Sequence, residues 1–189
     1  MRFAIAALAC MACCSTVARA SDDSAGPAKE SVRFDGHLLD LASQDETPGQ
    51  SLKEYIPAGE TLEHWTKLAA IREYDALDDP KPVVGEFLQQ LKKQYPESPC
   101  SVIENPTTGE VIIDFVVWPA DASFVEFNVF KYQKRTGGGL IAEQYALREY
   151  QDAEGFLKGL RPVRERLVEL MTEGLQRDGD PVEVKTNAE

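Results

Sequence analysis

Apolar positions along this chain alternate between a two-residue and a helical period, and the switches delimit its predicted elements. Val32 and Phe34, followed by Leu38, Leu39 and Leu41, predict a first strand that bends at Asp35-Gly36. Asp45, Pro48 and Gly49 mark residues 44–50 as a loop, and 52–56 reads as a short strand stopped by Pro57. Residues 61–69 are contested. Leu62, Trp65, Leu68 and Ala69 fit a helix capped by Thr61, whereas Leu68, Ala70, Arg72 and Tyr74 share one face of a strand. The adjacent Trp65 and Thr66 favour extended backbone, so a helical turn is predicted over 61–64 and a strand over 65–74.

Asp79-Pro80-Lys81-Pro82 opens a helix carrying Val84, Phe87, Leu88, Leu91 and Tyr95, and Pro96 ends it. Strands over 101–104 and 110–117 flank Asn105-Pro106-Thr107-Thr108-Gly109 and predict a hairpin. Residues 124–134 form the next strand, with Phe124, Glu126, Asn128 and Phe130 on one face and Val125, Phe127, Val129 and Lys131 on the other. A turn at 136–139 leads into a strand over 140–150. Asp152 then caps an amphipathic helix bearing Phe156, Leu157, Leu160, Val163, Leu167, Leu170 and Met171, which Pro162 either kinks or begins.

This order of elements predicts an α+β fold: a mostly antiparallel sheet of about six strands backed by a central helix and a long C-terminal helix. Residues 32–175 are expected to form a single domain. The small polar residues of 21–31 read as a flexible leader, and 176–189, with Gly179 and Pro181, as a disordered tail.

The first twenty residues set a compartment. Arg2, an apolar run from Phe3 to Cys14, and Ala18-Arg19-Ala20 have the layout of a cleavable secretory signal, with cleavage expected after Ala20 and a periplasmic destination. The run is too short to span a bilayer, and no later stretch is long enough. Lipidation at Cys10, Cys13 or Cys14 is disfavoured, because the residues upstream do not form a lipidation signal. With those three cysteines removed, Cys100 alone remains, and the core must stand without an internal disulfide. Cys100 reads as a small apolar residue at a strand start, with a reactive thiol or an intermolecular link as the alternatives.

The formal net charge is −12, and loss of Arg2 and Arg19 makes it more negative. Such a surface disfavours nucleic acid and anionic lipid and steers cationic partners. Solubility alone also accounts for it.

Candidate chemistry is sparse. His37 and His64 are the only histidines, and no HExxH, CxxC, EF-hand or GxSxG spacing occurs. Neither a metal nor a cofactor is expected. Gly137-Gly138-Gly139 precedes a strand rather than a helix, so it reads as a hairpin tip and not a phosphate loop. Glu73, Asp75, Asp78 and Asp79 suit a helix start better than a calcium site. Arg161, Arg164 and Arg166 are expected on a solvated helix face. Aromatic residues concentrate on the central strands, and any that face away from the helices would form a binding face. Trp118, Glu126, Asn128, Phe130 and Gln144 are the candidate binding residues.

Three phrases resemble segments of a family of small exported bacterial proteins with no assigned function: residues 54–68, 105–115 and 124–130. The resemblance implies export and a strand after Trp65, and it supplies no catalytic residues. The order of elements is also similar to the sandwich of PsbP-type photosystem proteins, which implies a sheet backed by helices and a binding role.

The expected function is therefore a periplasmic protein-binding module, in its most concrete form an immunity protein or inhibitor that neutralises a cationic toxin or hydrolase. One alternative is an envelope assembly or maintenance factor that binds a resident protein. Another is a hydrolase built on scattered acids such as Asp114, Glu126 and Glu143.

Overall fold

The computed structural model describes residues 30–177. Their elements in chain order are β1 (Ser31–Phe34), β2 (His37–Thr47), β3 (Gln50–Ile56), β4 (Lys67–Tyr74), α1 (Pro80–Gln94), β5 (Cys100–Glu104), β6 (Val111–Val117), β7 (Val125–Lys134), β8 (Leu140–Glu149), α2 (Ala153–Glu173) and β9 (Gln176–Arg177). All nine strands join one sheet in the order β5-β6-β7-β8-β4-β3-β2-β1-β9, and every pairing is antiparallel.

This architecture corrects the expected α+β fold of about six strands backed by two helices. The described residues are mostly sheet, a curled antiparallel half-barrel of nine strands with only two helices. Three local causes account for the difference. Asp35 and Gly36 both take positive φ, at 49° and 75°, so the predicted bend is a tight hairpin that makes two strands of one. Residues 43–47 are polar on both faces and leave no alternating pattern, yet they extend β2 and pair with β3 as far as Thr47 opposite Gln50. The expected 44–50 loop is thus reduced to a turn at Pro48-Gly49. Finally, Gln176 and Arg177, the first residues of the predicted tail, pair with β1; the rest of that segment and residues 1–29 lie outside the described residues.

The helices also do not back a common face. β6 is buried at every position and β7 at eight of its ten, because each face of the central strands is covered by a different helix. Phe87 and Leu91 of α1 pack on Ile113, Phe115, Phe130 and Tyr132. On the opposite face, Leu167 and Met171 of α2 join Phe127, Val129 and Tyr145 with Val32, Leu39 and Tyr55 from the far wing. One cluster drawing on both wings is what the curl achieves: the sheet wraps around α2. A register shift between Leu41 and Ser43 adds local twist to the far wing. Complete burial of side chains such as Phe87, Leu167 and Met171 stabilises the fold by about 1.5–3 kcal/mol each.

Helix ends follow the sequence signals. The Asp79 carboxylate accepts from the Lys81 N–H at 3.0 Å and caps α1, and Asp152 accepts from the Gly155 N–H at 2.8 Å and caps α2. Pro162 neither begins nor ends α2, which runs through it.

Candidate functional site

Strand alternation puts Glu126, Asn128 and Phe130 of β7 on the α1 side, together with Gln144, Ala146 and Arg148 of β8. α1 covers only part of that side. Phe130 lies beneath it, 5 % exposed and 5.5 Å from the Phe87 ring, so this candidate binding residue belongs to the core. Beyond it the face turns polar, and its side chains bond to one another in a row. Gln144 Nε2 donates to Asn128 Oδ1 at 2.8 Å, and Asn128 Nδ2 donates to Glu126 Oε1 at 2.8 Å. Arg148 completes the row, donating to Glu126 Oε2 from Nε at 2.8 Å and from Nη2 at 2.5 Å.

The Arg148 guanidinium lies between two aromatic rings, 3.9 Å from the Trp65 centroid and 4.2 Å from that of Phe124. Burial works against its charge, but the Glu126 carboxylate and the Tyr150 hydroxyl hold its pKa above the ordinary arginine value. Tyr150 also fixes the segment before β4: its hydroxyl accepts from the Trp65 N–H at 3.1 Å and donates to the Trp65 carbonyl at 3.0 Å. His64 stacks on Tyr150 at 4.2 Å. The Glu60 carboxylate accepts from both the N–H and the hydroxyl of Thr66. These contacts fix the corner, although the buried Trp65 Nε1–H has no hydrogen-bond partner.

Trp118 does not join the hydrogen-bonded row. It is 39 % exposed, at the rim of a shallow pocket of about 210 Å³ lined by Tyr95, Pro96, Ser98 and Val117 among others. Val117 is the cross-strand partner of Glu126, which makes pocket and row neighbours. The structure thus brings Glu126, Asn128 and Gln144 together and sets Trp118 beside them, but Asn128 (2 % exposed) and Glu126 (9 %) are buried like Phe130, which leaves Gln144 and Trp118 as the accessible candidates. Arg148 and Trp65 were not among the candidates drawn from the sequence. Arg148 shares the parity of Gln144 on its strand, but only the β7–β8 register places it opposite Glu126.

The remaining candidates are occupied elsewhere. Asp114 and Glu143 point to the α2 side while Glu126 points to the α1 side, so the three acids of the hydrolase reading cannot form one site. Asp114 accepts from Arg164 Nε at 2.6 Å and Nη2 at 2.8 Å, and Arg166 pairs with Asp35 at 2.8 Å. The expected solvated arginine stripe holds for Arg161, whose partner is the exposed Glu165 on the same helix, and for the exposed Arg166, whereas Arg164 is drawn in toward Asp114. Arg135 takes both Glu73 and Asp75, and Asp79 is the α1 cap. Among the described residues, no group of three or more His, Cys, Asp or Glu could hold a metal ion. Gly137, Gly138 and Gly139 all have positive φ and form the tip between β7 and β8.

A family model matches residues 27–174. The chain belongs to this family, to which no function is assigned. The matched region takes in the polar row, the pocket and both helices. No curated protein and no solved structure matches the chain, and the nine-stranded sheet with a helix on each face departs from the sheet backed by helices that the PsbP-type likeness implied. No described helix is long and apolar enough to cross a membrane.

Proposed function

We propose that this protein is an exported, periplasmic protein-binding module whose recognition surface is the α1-side face formed by Gln144, Arg148, Trp118 and the pocket beside them. The observation that carries the reading is the pre-ordered row from Gln144 through Asn128 and Glu126 to Arg148, clamped between Trp65 and Phe124. A face whose side chains are already held loses little entropy on binding. Trp118 supplies an exposed aromatic anchor, the residue type that dominates binding energy at interfaces. The net charge of −12 favours a cationic partner. An immunity protein or inhibitor that neutralises a basic toxin or hydrolase is the form that fits both features. Export rests on the signal-like residues 1–20.

Two measurements test this. N-terminal sequencing of the protein from its host should begin at Ser21; an intact Met1 in a cytosolic pool would refute export. Capture from the native envelope fraction at low salt should recover a basic protein that is lost at high salt and lost with Trp118→Ala. Retention of the same protein by Trp118→Ala and Gln144→Ala would remove this face from the proposal.

A further inference from the structure

The two edges of the sheet differ. At one, β9 is described over two residues, Gln176–Arg177, both exposed. At the other, β5 (Cys100–Glu104) has β6 on one side and, among the described residues, no strand on its other side. The Val116 N–H donates to the Pro99 carbonyl at 3.2 Å, and the Asn105 N–H donates to the Glu110 carbonyl at 2.9 Å. Antiparallel alternation therefore turns the backbone groups of residues 99, 101, 103 and 105 toward β6 and those of 100, 102 and 104 outward.

The usual protections against edge pairing are missing from this strand. It contains no lysine or proline, and it exposes an apolar side chain on each face, Val102 at 43 % and Ile103 at 47 %. Its charges are already neutralised. Glu104 pairs with Lys81 at 2.7 Å, and Arg164, which bonds Ser101, is forked onto Asp114. On a chain with a net charge of −12, this is a locally balanced, apolar edge.

We propose that a second copy of this chain pairs antiparallel along β5, with Val102 opposite its own counterpart, joining two nine-stranded sheets into one. This register uses all three outward-facing residues: Val102 bonds to Val102 of the other copy, and Cys100 to Glu104 in both directions. Ile103 falls opposite Ser101. No two carboxylates oppose each other, whereas a register centred on Glu104 would set like charges face to face. The contact is two-fold symmetric and closes on itself, so it yields a dimer rather than a fibre. It is small for a protein interface, under about 1,200 Å² in total, and the two acidic bodies repel, so dimerisation strengthens with salt. Binding of a cationic partner shows the opposite dependence, which keeps this proposal separable from the proposed function.

Sedimentation velocity on the chain as its host processes it, from micromolar to millimolar concentration at low and high salt, reads the outcome. The expected result is a concentration-dependent shift to twice the monomer mass, favoured by salt. Val102→Lys weakens it roughly tenfold or more by opposing two ammonium groups. Val102→Pro abolishes it with unchanged circular dichroism, because the N–H it removes points outward. A chain that stays monomeric at millimolar concentration and high salt overturns the proposal, as does a dimer indifferent to both Val102→Lys and Val102→Pro. A monomer whose β5 edge is protected from hydrogen exchange only when a partner's extended segment is added also overturns it, assigning the edge to that partner.

Discussion

Two arginine–carboxylate pairs lie on opposite faces of the same sheet, and they differ in what they connect. Arg164 reaches from α2 to Asp114 of β6, across fifty residues of sequence, and ties the helix to the sheet that wraps it. Arg148 and Glu126 sit opposite each other on neighbouring strands, where the backbone ladder already joins them. A buried ion pair costs desolvation that its own attraction often only balances, so neither pair is explained by stability alone. The α2-side pair has a tethering role to set against that cost. The α1-side pair joins strands the ladder already holds; it orders a largely buried row of side chains against the buried Trp65 ring and the half-buried Phe124 ring. That contrast supports reading the α1 side as a face arranged for contact.

The largest expected effect is that of Arg148→Ala. Glu126 and Arg148 are both close to 10 % exposed, at 12 % and 11 %, so the substitution strands a buried carboxylate and should destabilise by about 3–5 kcal/mol in urea unfolding. Arg164→Ala strands Asp114 in the same way, but Arg164 is 35 % exposed and water partly screens the site; a loss of about 2–3 kcal/mol is expected. Apolar replacement of whole pairs sharpens the comparison. Asp114→Leu with Arg164→Met should recover most of the stability and leave partner capture intact. Glu126→Leu with Arg148→Met should recover stability and lose capture. Equal capture by both double variants would erase the functional distinction between the two faces.

Trp118→Ala should cost less than about 1 kcal/mol of stability, since the ring is half-exposed, yet about 2 kcal/mol of partner affinity by calorimetry. The smallest effect concerns Glu54. Burial raises its pKa above the usual 4.5, with Arg72 pulling the other way. The protonated form therefore suits the fold, and its contribution is full below about pH 4.5 and lost as pH rises through the higher folded value. Glu54→Gln should raise Tm at neutral pH and match the wild type at acid pH. A lower Tm for the variant at pH 7 would show that the attraction of Arg72 outweighs desolvation.

Much of the chain's local structure was legible without coordinates. Both helices appear where Asp79-Pro80 and Asp152 announce them, because capping and apolar spacing are local signals. The strand after Trp65 and the hairpin around Asn105–Gly109 likewise follow from residues near in sequence. The polar extension of β2 did not show, since a strand exposed on both faces has no alternation to read. Nor could parity reveal that Phe130 and Asn128, two residues apart on one face, would separate into core and polar row. α1 covers one and stops short of the other.

The sequence by itself determined the acidic character, the alternation along each strand and the ends of both helices, all of which are read from composition or from neighbours within a few positions. Strand order, the curl of the sheet around α2, the placement of the two helices on opposite faces and the meeting of Arg148 with Glu126 were decided only in three dimensions. Each of these depends on pairings between residues far apart in the chain, where burial and register, rather than local preference, select among patterns that the residues would equally allow.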